Sequence, residues 1–204
     1  MALMPLLKTA ASAPDSDVRI VNTCSRAHRG SVPANFPLEF SSPALWDGSL
    51  PYEPWQWRYV GSLLFKSHMV RYGISKLTLA MLTRDLQRRL DAAGVPVLCV
   101  SPHPGGVASP GLHEHARPGF LRLVQSRLLS EDEGSWHQLF VATDPAVRQD
   151  ADRFKGRYCE EIGQCHPGHV LLGDDEACRK VWENTAKQVD SYLAEAGLQP
   201  LPSV

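Results

Sequence analysis

Two short, β-rich and mostly apolar runs, residues 18–23 and 95–101, stand on either side of a long helical pattern at 71–93. Continuous apolar runs of this length read as strands buried on both faces, the condition of a parallel sheet. In the helix between them, Leu79, Leu82, Leu86, Leu90 and Ala93 form one apolar stripe. Charges at Arg84, Asp85, Arg88, Arg89 and Asp91 are expected to face elsewhere, and Gly94 supplies the stop. Residues 156–162 predict a last short strand, with Glu160 and Glu161 suiting an edge. Ser130-Glu131-Asp132-Glu133 is a capping-box pattern opening a helix to about Ala142. Residues 174–196 predict a terminal helix with Cys178, Val181, Trp182, Thr185, Val189 and Leu193 on one side. The class expected is α/β.

Tyr72 and Lys76 lie four residues apart at the start of the long helix, so they share a face about one turn apart. An ammonium beside a phenol favours the phenolate, which suits proton transfer near neutral pH. Ser25 follows the first strand, and in open α/β sheets ligands gather at the carboxyl ends of strands. Taken singly, Ser25 reads as a turn residue and Lys76 as a solvated surface charge. Together with Tyr72 they form a set that can move a proton on and off an alcohol or carbonyl. No such set carries a hydride, so a cofactor is implied. After the second strand, Pro102-His103-Pro104-Gly105-Gly106 turns sharply, and its glycines allow a flat ring close to the backbone.

In their order, Val21-Asn22-Thr23-Cys24-Ser25, then Tyr72-Gly73-Ile74-Ser75-Lys76, then Pro104-Gly105-Gly106-Val107-Ala108-Ser109 resemble the short-chain dehydrogenase/reductase family. A bare Tyr-x-x-x-Lys pair is a weak signal; the ordered set, with a strand before the first and third motifs, is far more specific. Ser25-Arg26-Ala27-His28 and the Tyr72–Leu77 stretch look most like the retinol-dehydrogenase-like and WW-domain-oxidoreductase-like branch. The resemblance implies the C-terminal half of a Rossmann-like doubly wound parallel sheet, about three strands with flanking helices, as one partial domain over residues 1–204. It implies that Ser25 orients the substrate oxygen, Tyr72 is the general acid or base, and Lys76 supports Tyr72. Tyr72, Lys76, Pro104, Gly105, Val107 and Ser109 would face the nicotinamide and its ribose, with Ser109 where threonine is usual. The implied cofactor is NAD or NADP, the resemblance leaning to NADP. His103 has a structural role by the same comparison, and residues 110–129 hold the place of the substrate lid. The partner would be a small hydrophobic alcohol or carbonyl.

No Gly-x-x-x-Gly-x-Gly or Gly-x-Gly-x-x-Gly occurs in the 204 residues. Such glycines let the backbone approach a pyrophosphate at a helix N-terminus. The family's first four strands, its ribose-reading residue and its catalytic Asn have no counterpart either; Asn22 lies on the serine strand itself. Two readings stay open. One is a fragment or clipped gene model of an ordinary NAD(P)-dependent oxidoreductase. The other is a catalytically inactive remnant serving as an interaction module. Without its usual neighbour and covering helices, the serine strand should leave a bare apolar edge that favours homo-oligomers or association.

A net charge of −1 argues against a nucleic-acid partner. Five cysteines, an odd number with no CxxC pair, fit a reducing intracellular setting, cytoplasmic or peripheral to an internal membrane. Cys159, Cys165, His166 and His169 match no structural zinc spacing, so no metal is expected. Residues 1–12 are too short for a membrane span and read as an apolar helical end. Residues 30–71 look loop-like, with prolines at 33, 37, 43, 51 and 54, and carry Trp46, Tyr52, Trp55, Trp57 and Tyr59. Three readings apply to them: a wall of the substrate cleft, a surface loop pinned by its aromatics, or a membrane-surface contact through residues 55–59 and 63–65.

Overall fold

A computed structural model describes residues 2–46, 50, 52–66 and 68–202. Met1 and Pro51 from the readings above, and the last two residues of the expected domain, lie outside the described residues.

The chain opens with α1 (Met4–Ala11) and β1 (Val18–Val21), and α2 (Ala27–Gly30) follows Ser25. The aromatic stretch is not loop throughout. It holds a 3-10 turn at Pro43–Leu45, a π-helical turn at Gln56–Gly61 and α3 (Ser62–Leu64). Next come α4 (Met69–Ala92), β2 (Val97–Pro102), α5 (Pro110–His115) and α6 (Pro118–Val124). The chain then forms α7 (Glu131–Thr143), α8 (Pro145–Gln149), α9 (Ala151–Phe154), β3 (Tyr158–Glu161), β4 (Gln164–His166) and α10 (Asp175–Glu195). The capping box opens α7 as its residues dictate: Ser130 Oγ accepts from the Glu133 amide at 3.2 Å, and Glu133 Oε2 accepts from the Ser130 amide at 2.8 Å.

The four strands run in the order β1-β2-β3-β4. β1 and β2 are parallel, with Val18 opposite Val97 and Val21 opposite Val100. β2 meets β3 in parallel through Ser101 with Tyr158 and Pro102 with Cys159. β4 returns antiparallel to β3. The α/β class and the mostly parallel sheet are as the sequence predicts. The strand predicted for an edge, however, is interior, because β4 covers its outer side. Gln164-Cys165-His166 is too short and too polar to announce itself as a strand, so the sheet has four strands rather than about three.

β2 is buried along all six residues, as its composition requires. β1 is only half-buried, being the outer strand. Its faces are nonetheless covered. Met4 and Ala11 of α1 pack with Val18, Ile20, Leu90 and Val97 on one side, and α7 with Val141 lies on the other. The expectation of stripped faces is thereby corrected; what stays open among the described residues is the backbone edge of β1.

α4 departs from its predicted stripe. It is packed between α2, α10 and β2, so burial runs nearly round it, through Val70, Ile74, Leu77, Met81, Leu86 and Leu90. Leu79 and Leu82 are half-buried and Ala93 is exposed. Asp85, expected at the surface, is buried and held by Arg89 at 2.7 Å and Arg88 at 3.3 Å. Buried Gln87 accepts from the Cys99 amide at 2.7 Å and donates to the Val97 carbonyl at 3.2 Å. It stands in for a strand along the part of β2 that β3 does not reach. A central helix has several buried faces, and its polar residues must find partners inside.

Candidate active site

Parallel pairing carries on past the end of β1. The amide of Asn22 donates to the Val100 carbonyl at 2.9 Å, and that of Cys24 to the Pro102 carbonyl at 2.8 Å. This delivers Ser25 to the carboxyl end of the sheet, beside the turn that leaves β2. Ser25 Oγ accepts from the Ala27 amide at 3.2 Å as α2 begins, and buried His28 donates through Nδ1 to the Ser25 carbonyl. Burial pushes the Cys24 thiol up to about 11, so it is a packing group and not a nucleophile.

Tyr72 and Lys76 occupy the first turns of α4. Lys76 Nζ donates to the Thr23 carbonyl at 3.0 Å and lies 5.9 Å from the centroid of the Tyr72 ring. The amine is thus tied to the serine strand and set beside the phenol. The residue that lets α2 approach α4 beside this pair is Gly73, which sequence reasoning missed. A Cβ there would lie 2.1 Å from Ser31 Oγ and 2.9 Å from the Ala27 carbonyl oxygen, so α2 rests directly on α4. A glycine inside a strong helical pattern was the available signal.

The third motif is braced from behind. Gly105 has φ +92°, and the Leu129 side chain fills the place its Cβ would take. Val107 bridges to Leu129, with the Leu129 amide donating to the Gly106 carbonyl at 2.8 Å and the Ala108 amide to the Leu129 carbonyl at 2.9 Å. The Val107 side chain sits against Gly134 of α7, with no room for a Cβ between them. Ser109 caps α5, its Oγ accepting from the Leu112 amide at 3.3 Å. The His103 amide donates to the Cys159 carbonyl at 2.8 Å, and its own carbonyl accepts from His137 Nδ1 at 2.7 Å. Burial, helped by the Arg26 cation, pushes the His103 imidazole down to about 4, which keeps it neutral and structural at neutral pH.

Ser25, Tyr72, Lys76, Pro104, Gly105, Val107 and Ser109 all line one cleft of about 720 Å³. Phe65, Met69 and Leu112 give it an apolar side. Residues 110–129 are strapped across to the aromatic stretch: Phe65 pairs with Ala116, and its ring lies 5.0 Å from that of Phe120. The end of the aromatic stretch is therefore cleft wall, while Trp55, Tyr59 and Leu63 are exposed. Cys159 and Cys165 face each other across β3 and β4, whereas His169 turns away to the Val32 carbonyl at 3.2 Å. Among the described residues no helix is long and apolar enough to cross a membrane.

No protein-family model matches the chain. It is 28% identical to short chain dehydrogenase/reductase dpfgH of Gibberella zeae, over 93% of this chain and 52% of that protein. It is 30% identical to short chain dehydrogenase/reductase dpchH of Colletotrichum higginsianum, over 92% of this chain and 44% of that protein. Retinol dehydrogenase 13 of Homo sapiens is 28% identical over 64% of this chain and 40% of its own length. The chain spans about half the length of the first two relatives. Similarity to these proteins extends along most of its residues and includes the stretches that build the cleft, and the chain belongs to the short-chain dehydrogenase/reductase family.

Proposed function

We propose that residues 1–204 form one partial Rossmann-like domain of an NAD(P)-dependent oxidoreductase that interconverts an alcohol and a carbonyl on a hydrophobic substrate. The observation that carries this reading is the convergence of Ser25, Tyr72 and Lys76, from three separated points of the chain, on one cleft with the 104–109 turn. In the reductive direction, the Tyr72 hydroxyl proton passes to the substrate oxygen while Ser25 Oγ–H holds that oxygen. Oxidation of an alcohol is the reverse. Lys76, steadied by the Thr23 carbonyl, supplies the positive charge beside the phenol as its proton leaves.

The residues present fit the nicotinamide and ribose of the cofactor. Lys76 gives one N–H to Thr23 and has two more for ribose hydroxyls, and the turn at Gly105 and Gly106 leaves its backbone bare toward the cleft. When bound, the nicotinamide supplies or takes the hydride. Nothing in the sequence matches the diphosphate-binding glycine turn. NADP is the cofactor we favour. The apolar wall at Phe65, Met69 and Leu112 favours a lipid-like substrate. Two relatives are named for such alcohols, retinol dehydrogenase 13 and, at 33% identity over 54% of this chain and 32% of its own length, polyprenol dehydrogenase of Mus musculus. An intracellular place, in the cytoplasm or against an internal membrane through Trp55, Tyr59 and Leu63, suits that substrate.

The test has two arms. With NADPH and a hydrophobic ketone, Tyr72→Phe should lower turnover by about 10²–10⁴-fold, and unchanged turnover removes Tyr72 from the reaction. In parallel, saturation-transfer NMR with reduced nicotinamide riboside, which needs no diphosphate cradle, should report binding that Lys76→Met abolishes. No transfer from the unaltered chain to the riboside would overturn the cofactor assignment.

A further inference from the structure

Behind the cleft, β3 and β4 place two cysteines directly opposite each other. Cys159 and Cys165 are partners in the antiparallel register, and their sulfur atoms lie 2.8 Å apart. Facing residues of an antiparallel pair have Cα atoms about 4.5–5.5 Å apart, inside the roughly 4.4–6.8 Å range that a disulfide spans. The other three cysteines, Cys24, Cys99 and Cys178, are each buried and free. We propose that Cys159 and Cys165 are a thiol–disulfide site, which a low-molecular-weight disulfide oxidises to a bridge across the β3–β4 hairpin.

The two sulfurs differ in a way that orders the steps. Cys165 is half-buried; the hydrogen bond from the Cys159 thiol holds it below the ordinary thiol value, and the Arg153 and Arg157 cations act in the same direction. Cys159 is wholly buried, and its bond to Cys165 together with that burial pushes it the other way. Cys165, as thiolate, therefore attacks one sulfur of the small disulfide and forms a mixed disulfide, and the other half leaves as a thiolate. The Cys159 sulfur then attacks the Cys165 sulfur. The cross-strand S–S bond forms, the mixed S–S bond breaks, the second small thiol departs, and the Cys159 proton ends on the departing thiolates. Two protein thiols are oxidised and one small disulfide is reduced to two thiols.

The hairpin is wired to both loops of the cleft. The Cys159 carbonyl accepts from the His103 amide at 2.8 Å, just before the Pro104–Ser109 turn. The next residue, Glu160, pairs with Arg26 at 3.0 Å and Arg29 at 2.9 Å, beside Ser25. A bridge at this point stiffens the strand on which both attachments depend.

The chain, reduced and then incubated with oxidised glutathione, is alkylated and cut with a glutamate-specific protease. Cleavage after Glu160 and Glu161 separates Cys159 from Cys165, and cleavage after Glu176 frees Cys178. The expected result is an intact mass lower by two hydrogens and a linked peptide pair holding Cys159 and Cys165. Cys159→Ser should trap glutathione on Cys165, while Cys165→Ser should leave Cys159 unmodified. Five alkylatable thiols surviving oxidation of the unaltered chain, or a bridge mapped elsewhere, overturns the proposal whatever the variants do. Hydrogen exchange of the His103 amide should slow in the bridged form, and an unchanged rate overturns the link to the cleft.

Discussion

At position 73 the methyl group of an alanine would meet Ser31 Oγ and the Ala27 carbonyl, so Gly73→Ala should lever α2 off α4. Overpacking of this kind costs about 1–3 kcal/mol, readable as a lower urea midpoint at unchanged slope. His103 carries a second prediction. An unfolded histidine takes up its proton near 6.5, whereas folded His103 does so only near 4. Between those values the unfolded chain binds more protons, so stability is fully present above about pH 6.5 and drains away as the pH falls toward about 4. His28, His137 and His169 are pushed down by burial in the same sense. Thermal melts across this window should show the slope, and His103→Leu should flatten it in part. Ser25, Tyr72 and Lys76 were legible in the sequence because their chemistry is unusual in combination. Gly73 and His28 were not, because a missing side chain and a buried imidazole take their meaning from what they touch.

Elements divide by how local their causes are. The α7 cap, the buried strand β2 and the terminal helix follow from neighbours in sequence, and each forms where its residues predict. β4 and the burial of α4 do not, since a three-residue polar strand exists only against β3, and a helix shows its second and third buried faces only when packed. Gln87 is the sharpest instance, a polar residue on a helix that completes the hydrogen bonding of a strand. Gln87→Leu should leave the Cys99 amide buried without a partner and cost about 1–3 kcal/mol. Chemical denaturation gives the loss, and faster exchange at the Cys99 amide, with the rest of β2 unchanged, places it.

For the whole molecule, the open edge of β1 is the feature with consequences. Its faces are covered by α1 and α7, but β2 is its one strand partner among the described residues. Unpaired backbone groups along such an edge recruit other strands. Static light scattering should show association that grows with protein concentration; a concentration-independent monomer would count against it.

The chain alone determined the class of fold, the positions of its main helices and parallel strands, and the three residue types that meet in the cleft. Those follow from period, capping and side-chain chemistry, which act over a few residues. The tertiary structure decided that Lys76 reaches Thr23, that Gly73 lets α2 close on α4, and that Cys159 meets Cys165. The first two of these contacts join distant parts of the chain, and the third needs β4 folded back in register on β3; all come from shape and packing, which no local pattern encodes.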